Sequence, residues 1–143
     1  MTVAIILKEK GTKVATVRPH QTIATLVQKL KLENIGAVVV SGDGERVDGI
    51  ISERDVVRGL ANHGAGLLAM RIDSLMIRDV LTCTPADSVK DVMQTMTTRR
   101  VRHLPVVDKG KMVGVVSIGD VVKNRLQDVE MEARVLRDYI TAR

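Results

Sequence analysis

The sequence predicts an α+β (α/β) fold: two tandem β-α-β-β-α units packed as a pseudo-two-fold pair, followed by a long C-terminal helix. Three observations carry that prediction. The chain repeats itself: Arg18-Pro19 aligns with Thr84-Pro85, Thr22 with Ser88, Ile23 with Val89, Ile35 with Val101 and Gly44 with Gly110, at an offset of 66 residues. With one residue removed from the first copy's turn, Gly49-Ile50-Ile51-Ser52 falls on Gly114-Val115-Val116-Ser117, and Asp55-Val56-Val57 on Asp120-Val121-Val122. Each copy also passes through the same succession of strand-like and helix-like patterns. Finally, 143 residues suffice for one ordinary core or two half-sized units that share one.

Each element has a local cause. The first strand, Val14 to Val17 or Val80 to Cys83, ends ahead of Arg18-Pro19 or Thr84-Pro85, and the residue preceding a proline is held extended. Thr22 and Ser88 are the next helix caps, ahead of Ile23, Leu26, Val27 and Leu30, or Val89, Val92, Met93 and Met96, at helical spacing. Two apolar runs then form a hairpin. Ala37 to Val40 turns through Gly42-Asp43-Gly44 into Val47 to Ile51, and Leu104 to Val107 turns through Asp108-Lys109-Gly110 into Met112 to Val116. A second helix begins at Ser52 or Ser117. Residues 1–62 are read as an N-terminal segment with the first unit, 63–73 as a linker, and 74–143 as the second unit with its helical extension.

Composition bounds the function. The 45% apolar content includes one aromatic residue, Tyr139, so the core is aliphatic. That scarcity counts against single-stranded nucleic-acid binding, which stacks bases on aromatic rings. A net charge of +5 suits anionic partners and equally suits simple solubility. The densest basic run, Arg99, Arg100 and Arg102 with His103, lies inside a structured pattern rather than in a tail. Cys83 is the only cysteine, which points to a reducing, cytoplasmic compartment. The apolar run Val3 to Leu7 is too short for a signal peptide, and nothing approaches the ~20 apolar residues of a membrane span.

The repeated Gly-apolar-apolar-Ser-x-x-Asp, Gly49 to Asp55 and Gly114 to Asp120, carries the functional content. One meaning is local: Ser followed three residues later by an acid closes a helix start as a capping-box variant. The other is chemical. A helix N-terminus offers free N–H groups to a phosphate, and an Asp one turn on accepts hydrogen bonds from ribose hydroxyls. Two copies after the same strand favour the chemical meaning.

On these residues the sequence resembles the CBS domain, the module named after cystathionine β-synthase, and the two copies resemble a Bateman module. The resemblance spans roughly residues 14–124, most specifically Gly114 to Asp120 and Arg102-His103-Leu104-Pro105-Val106-Val107-Asp108. It implies a non-catalytic sensor of adenosine-containing ligands such as AMP, ATP, S-adenosylmethionine or NAD(H), with no catalytic cofactor. It further implies two clefts assembled from both copies. One uses Ser117 and Asp120 for phosphate and ribose, Arg102 and His103 for phosphate, and Arg18, Ile23 and Ile35 around the adenine. The other uses Ser52 and Asp55, with Thr84, Val89 and Val101 around the base. Because Gly36-Ala37 stands where the second copy has Arg102-His103, the Asp120 cleft is expected to be the tighter one. Arg54 is either a partial substitute for the missing basic pair or a solvated surface residue.

Other signals carry less. Gly64-Ala65-Gly66-Leu67-Leu68-Ala69 fits a dinucleotide-binding pattern without the strand that pattern needs. His20, His63 and His103 lack metal-ligand spacing, and Cys83 has no adjacent base. Val122, Leu126, Val129, Ala133, Leu136 and Ile140 form a seam on the last helix that either folds back on its own module or contacts a homodimer partner. The expected partners are thus an adenine nucleotide, a second copy and an unidentified effector protein, without membrane. A basic nucleic-acid-binding module and a structural adaptor with empty clefts are the alternative functions.

Overall fold

The computed structural model describes residues 1–11 and 13–142. In chain order it contains α1 (Val3–Lys10), β1 (Thr16–Val17), α2 (Ile23–Glu33), β2 (Ala37–Val40), β3 (Gly49–Ser52) and α3 (Glu53–His63). Two short 3₁₀ turns, Gly64–Ala69 and Ile72–Ser74, lead to α4 (Val89–Arg99), β4 (His103–Asp108), β5 (Lys111–Ser117) and α5 (Ile118–Thr141). The architecture is the α+β repeat that the sequence predicts.

The helices start where their caps dictate. Thr22 Oγ1 accepts the Thr25 N–H at 3.3 Å, and Ser88 Oγ accepts that of Asp91 at 3.0 Å, each satisfying a free amide of the first turn. Both helices end on a left-handed residue, Asn34 and Arg100, at equivalent positions of the repeat. In the first unit β1 runs parallel to β2, which pairs antiparallel with β3. The second unit differs at its first strand. Residues 80–83 make a single parallel bridge, Cys83 to Val106, beside the β4–β5 hairpin.

Two aliphatic cores result, and chain order does not sort them. Val3, Ile6 and Leu7 of α1 are buried with Val89, Met96, Leu104 and Val116, so the N-terminal helix completes the second unit's core. Backbone bonds fix it there: Val3 N–H donates to Asp87 O at 2.9 Å, and Val89 N–H to Met1 O at 3.0 Å. Reciprocally, Leu67, Ile72 and Met76 from the segment between the units lie in the first core with Ile23, Leu26 and Ile51. Residues 63–73 are therefore more than a spacer, because they carry two fully buried side chains, Leu67 and Ile72.

The exchange is symmetric at atomic detail. A Cβ added to Gly49 would lie 2.6 Å from Met76 Sδ, and one added to Gly114 would lie 2.5 Å from Leu7 Cδ2. The repeated glycine thus admits the borrowed segment against the strand. Among the described residues no helix is long and apolar enough to cross a membrane.

Candidate functional site

The two Ser-x-x-Asp motifs sit at the β3–α3 and β5–α5 junctions as full capping boxes. Ser52 N–H donates to Asp55 Oδ2 at 2.9 Å while Asp55 N–H donates to Ser52 Oγ at 3.4 Å. In the second copy the corresponding distances are 2.9 and 3.1 Å. The local meaning of the motif therefore holds in both copies. Each junction is also tied to the start of the preceding strand segment, Glu53 N–H to Gly36 O at 2.9 Å and Ile118 N–H to Arg102 O at 2.8 Å.

Around Ser117 the two units enclose a cleft of about 400 Å³, within the ordinary range for small-molecule sites. Val14, Ala15, Ile35 and Gly36 form its wall on the first unit, and His103, Val115 and Ser117 its wall on the second. Lys10, Gly11, Lys13, Glu33, Asn34 and Ala37 complete the lining. The first-unit wall is aliphatic, and the rest of the cleft carries polar groups, two lysines and one acid, Glu33.

Lys10 is the residue that spacing alone could not place. It lies at the C-terminal end of α1, and because α1 packs on the second unit its ammonium reaches Asp120 Oδ2 at 2.7 Å and Val115 O at 2.8 Å. Burial alone would raise the Asp120 pKa, but the bonds from Lys10 and the Ser117 amide outweigh it and hold the carboxyl below its ordinary value. Asp120 therefore contributes stability above about pH 4 that is lost as pH falls through its lowered folded value.

His103 stands where the units meet. A Cβ on Gly36 would lie 3.8 Å from His103 Cε1, an ordinary contact distance, so the second unit's imidazole sits close against the first unit's backbone. Burial pushes the His103 pKa below 6.5, with Lys10 adding to the effect against the opposing pull of Asp120 and Glu53. Burial therefore favours the neutral form of the ring. Since the unfolded chain takes up this proton first, stability falls as pH drops below about 6.5 towards the folded value. We expect the melting temperature to fall between pH 7 and pH 5 and His103→Gln to flatten that slope. An unchanged slope would remove His103 as its source.

The other sequence-derived residues distribute unevenly. Ile35 lines the cleft, and Arg102, next to His103 in sequence, is exposed and gives its carbonyl to Ile118. Ile23 and Val89 do not line a cleft: each is the first residue of its helix and turns into its own core, 0% and 1% exposed. Arg18 and Thr84 are at the wrong end of their strands. Arg18 follows Val17, which pairs with Val40, and donates to Ser41 O at 3.1 Å. Ala37, which lines the Ser117 cleft, is at the opposite end of β2, about 13 Å away at the usual rise per residue. The same polarity puts Thr84, which donates its N–H to Asp87 at 2.8 Å, beyond Cys83 and away from the His103–Ser117 pair.

The wall comes instead from the residues before the strand, Lys13, Val14 and Ala15. The parallel β1–β2 pairing was the signal: it brings the start of β1, not its end, to the strand-to-helix junction. On the Ser52 side, Asp55 is half-buried, Arg54 is exposed, and Val101 packs partly buried against the second core. Cys83 is buried in that core, and burial pushes its thiol up to about 12, as expected of a packing residue.

Comparison with known proteins agrees with this geometry. The CBS domain family matches residues 10–62 and 72–126. A CBS-domain containing protein from Agrobacterium tumefaciens is 40% identical, with a TM-score of 0.84 over 87% of this chain and 99% of that one. The mitochondrial CBS domain-containing protein CBSX3 of Arabidopsis thaliana is 33% identical over 97% of this chain and 71% of its own length. The Bacillus subtilis CBS domain-containing protein YhcV is 32% identical over 82% of each. The CBS domain pair of protein MJ0100, solved in complex with 5′-methylthioadenosine and S-adenosyl-L-methionine, shares the fold at 24% identity and a TM-score of 0.78. The chain belongs to the CBS-domain family, as a tandem pair of CBS units forming a regulatory, non-catalytic Bateman module.

Proposed function

We propose that the module senses an adenine nucleotide, AMP foremost, with ATP and NAD(H) as the alternative ligands, in the cleft between its units. The observation that carries this reading is the pairing of aliphatic residues, Val14, Ala15, Ile35 and Val115, with Ser117, Lys10 and Lys13 in one cleft. The aliphatic residues suit adenine, Asp120, bonded to the lining residues Lys10 and Ser117, suits the ribose hydroxyls, and the α5 N-terminus with Lys13 suits the phosphate. That adenosyl ligands occupy the related pair MJ0100 supports the ligand class. The Ser52–Asp55 junction forms a second, weaker site, because Gly36-Ala37 supplies no polar side chain there. The protein acts as a cytoplasmic homodimer that reports ligand occupancy to an effector protein through a shift between its units, which requires different affinities for the two arrangements.

Lys13 distinguishes this reading from an empty-cleft adaptor. Replacing it with alanine should lower AMP affinity about tenfold, the scale of one charge-assisted hydrogen bond, while leaving adenosine affinity unchanged. Calorimetric titration of both ligands checks this. Equal losses for AMP and adenosine would remove Lys13 from the phosphate role.

A further inference from the structure

The last helix leaves its module. Asn124 is the final buried residue of α5, and every described residue after Asp128 is exposed. Leu126, Val129, Leu136 and Ile140 are each more than half exposed. With Val122 and Ala133 they alternate at spacings of four and three, the repeat of a two-stranded helical seam. A shallow groove lined by Ile118, Val122 and Leu126 begins the seam at the module's edge. The seam is not folded back on its own chain.

The charges beside it select an occupant. With Leu126, Ala133 and Ile140 as a positions and Val122, Val129 and Leu136 as d positions, Arg125, Glu132 and Tyr139 occupy g, while Lys123, Glu130 and Arg137 occupy e. In a parallel pair each g residue meets the e residue five places on in the other helix. Arg125 then faces Glu130 of the second copy, and Glu132 faces Arg137, so both contacts are attractive and each occurs twice. An antiparallel pair on the same seam sets Glu130 against Glu130, Glu132 against Glu132 and Lys123 against Arg137. Met131 and Val135 lie off the seam, without a comparable charge pattern. We propose that α5 pairs with α5 of a second copy as a parallel, in-register two-stranded coiled coil over residues 122–140, holding two modules side by side.

The inference is independent of ligand binding and is tested on the full chain by sedimentation velocity and thiol crosslinking. The wild type should be dimeric at micromolar concentration. Leu136→Asp, at a site exposed within the single chain, should weaken the dimer tenfold or more. Glu130→Arg with Glu132→Arg should weaken it likewise, and adding Arg125→Glu and Arg137→Glu should restore it. Under mild oxidation Leu136→Cys alone should give a covalent dimer, with Cys83 buried and inert. A monomeric wild type, or a dimer indifferent to Leu136→Asp, would overturn the proposal. So would crosslinking seen only when Leu126→Cys and Leu136→Cys chains are mixed.

Discussion

Replacing Leu7 by alanine is expected to destabilise the protein by about 2–5 kcal/mol, the usual cost of emptying a packed leucine site. The loss should fall on the second unit, 80–120 residues further along the chain. Leu7 is 6% exposed and packs with Leu104 and Val116, directly over Gly114. Truncation leaves a cavity against β5 that neighbouring strands cannot close, because their positions are fixed by the hairpin register. Amide exchange should therefore quicken in β4 and β5 more than in β2 and β3. Met76→Ala should show the reverse pattern, since Met76 covers Gly49 in the first core.

A double-mutant cycle sharpens the point. Gly114→Ala in the wild type drives a Cβ to 2.5 Å from Leu7 Cδ2 and should cost stability. In the Leu7→Ala background the same methyl enters vacated space, so the two losses should be clearly less than additive. Strict additivity would mean that Leu7 and Gly114 do not meet.

The repeat made most of the fold legible. Thr22 and Ser88 cap the predicted helices, the hairpins form where the apolar runs and turns place them, and Ser52 and Ser117 begin α3 and α5. The exchange of α1 and the inter-unit segment was not legible, because periodicity says that Val3, Ile6 and Leu7 are buried without saying against which copy. The site suffered from the same gap. Ser117, Asp120 and His103 could be named from local motifs alone. Lys10 and Lys13 reach the cleft only through the tertiary placement of α1 and the chain after it. Arg18 and Thr84 were misplaced because the polarity of β1 against β2 was not used. Ile23 and Val89 were misplaced because the first residue of a capped helix here turns inward to the core.

Asp120→Ala should lower affinity for AMP and for adenosine alike, by roughly 10- to 100-fold, the range for hydrogen bonds to a charged group. Inorganic phosphate binding should be nearly unchanged, because it relies on the α5 amides and lysines rather than on the carboxylate. Two further effects accompany the loss. Lys10 loses its 2.7 Å partner and the Ser117 amide its acceptor, so the variant should also melt earlier. Asp120→Asn separates these effects by keeping an oxygen for the cap while removing the charge. Its ligand affinity should fall with a smaller drop in stability. Asp55→Ala, at the other junction, should leave the tighter binding event intact. Equal losses for nucleoside and inorganic phosphate would take Asp120 out of the ribose role.

Calorimetric titration of the wild-type chain with AMP, ATP, NADH and S-adenosylmethionine decides whether the Ser117 cleft holds an adenine nucleotide. Saturable heat is expected with at least one of them, AMP foremost, with a matching rise in melting temperature. No heat and no thermal shift with any of the four would contradict adenine-nucleotide binding there.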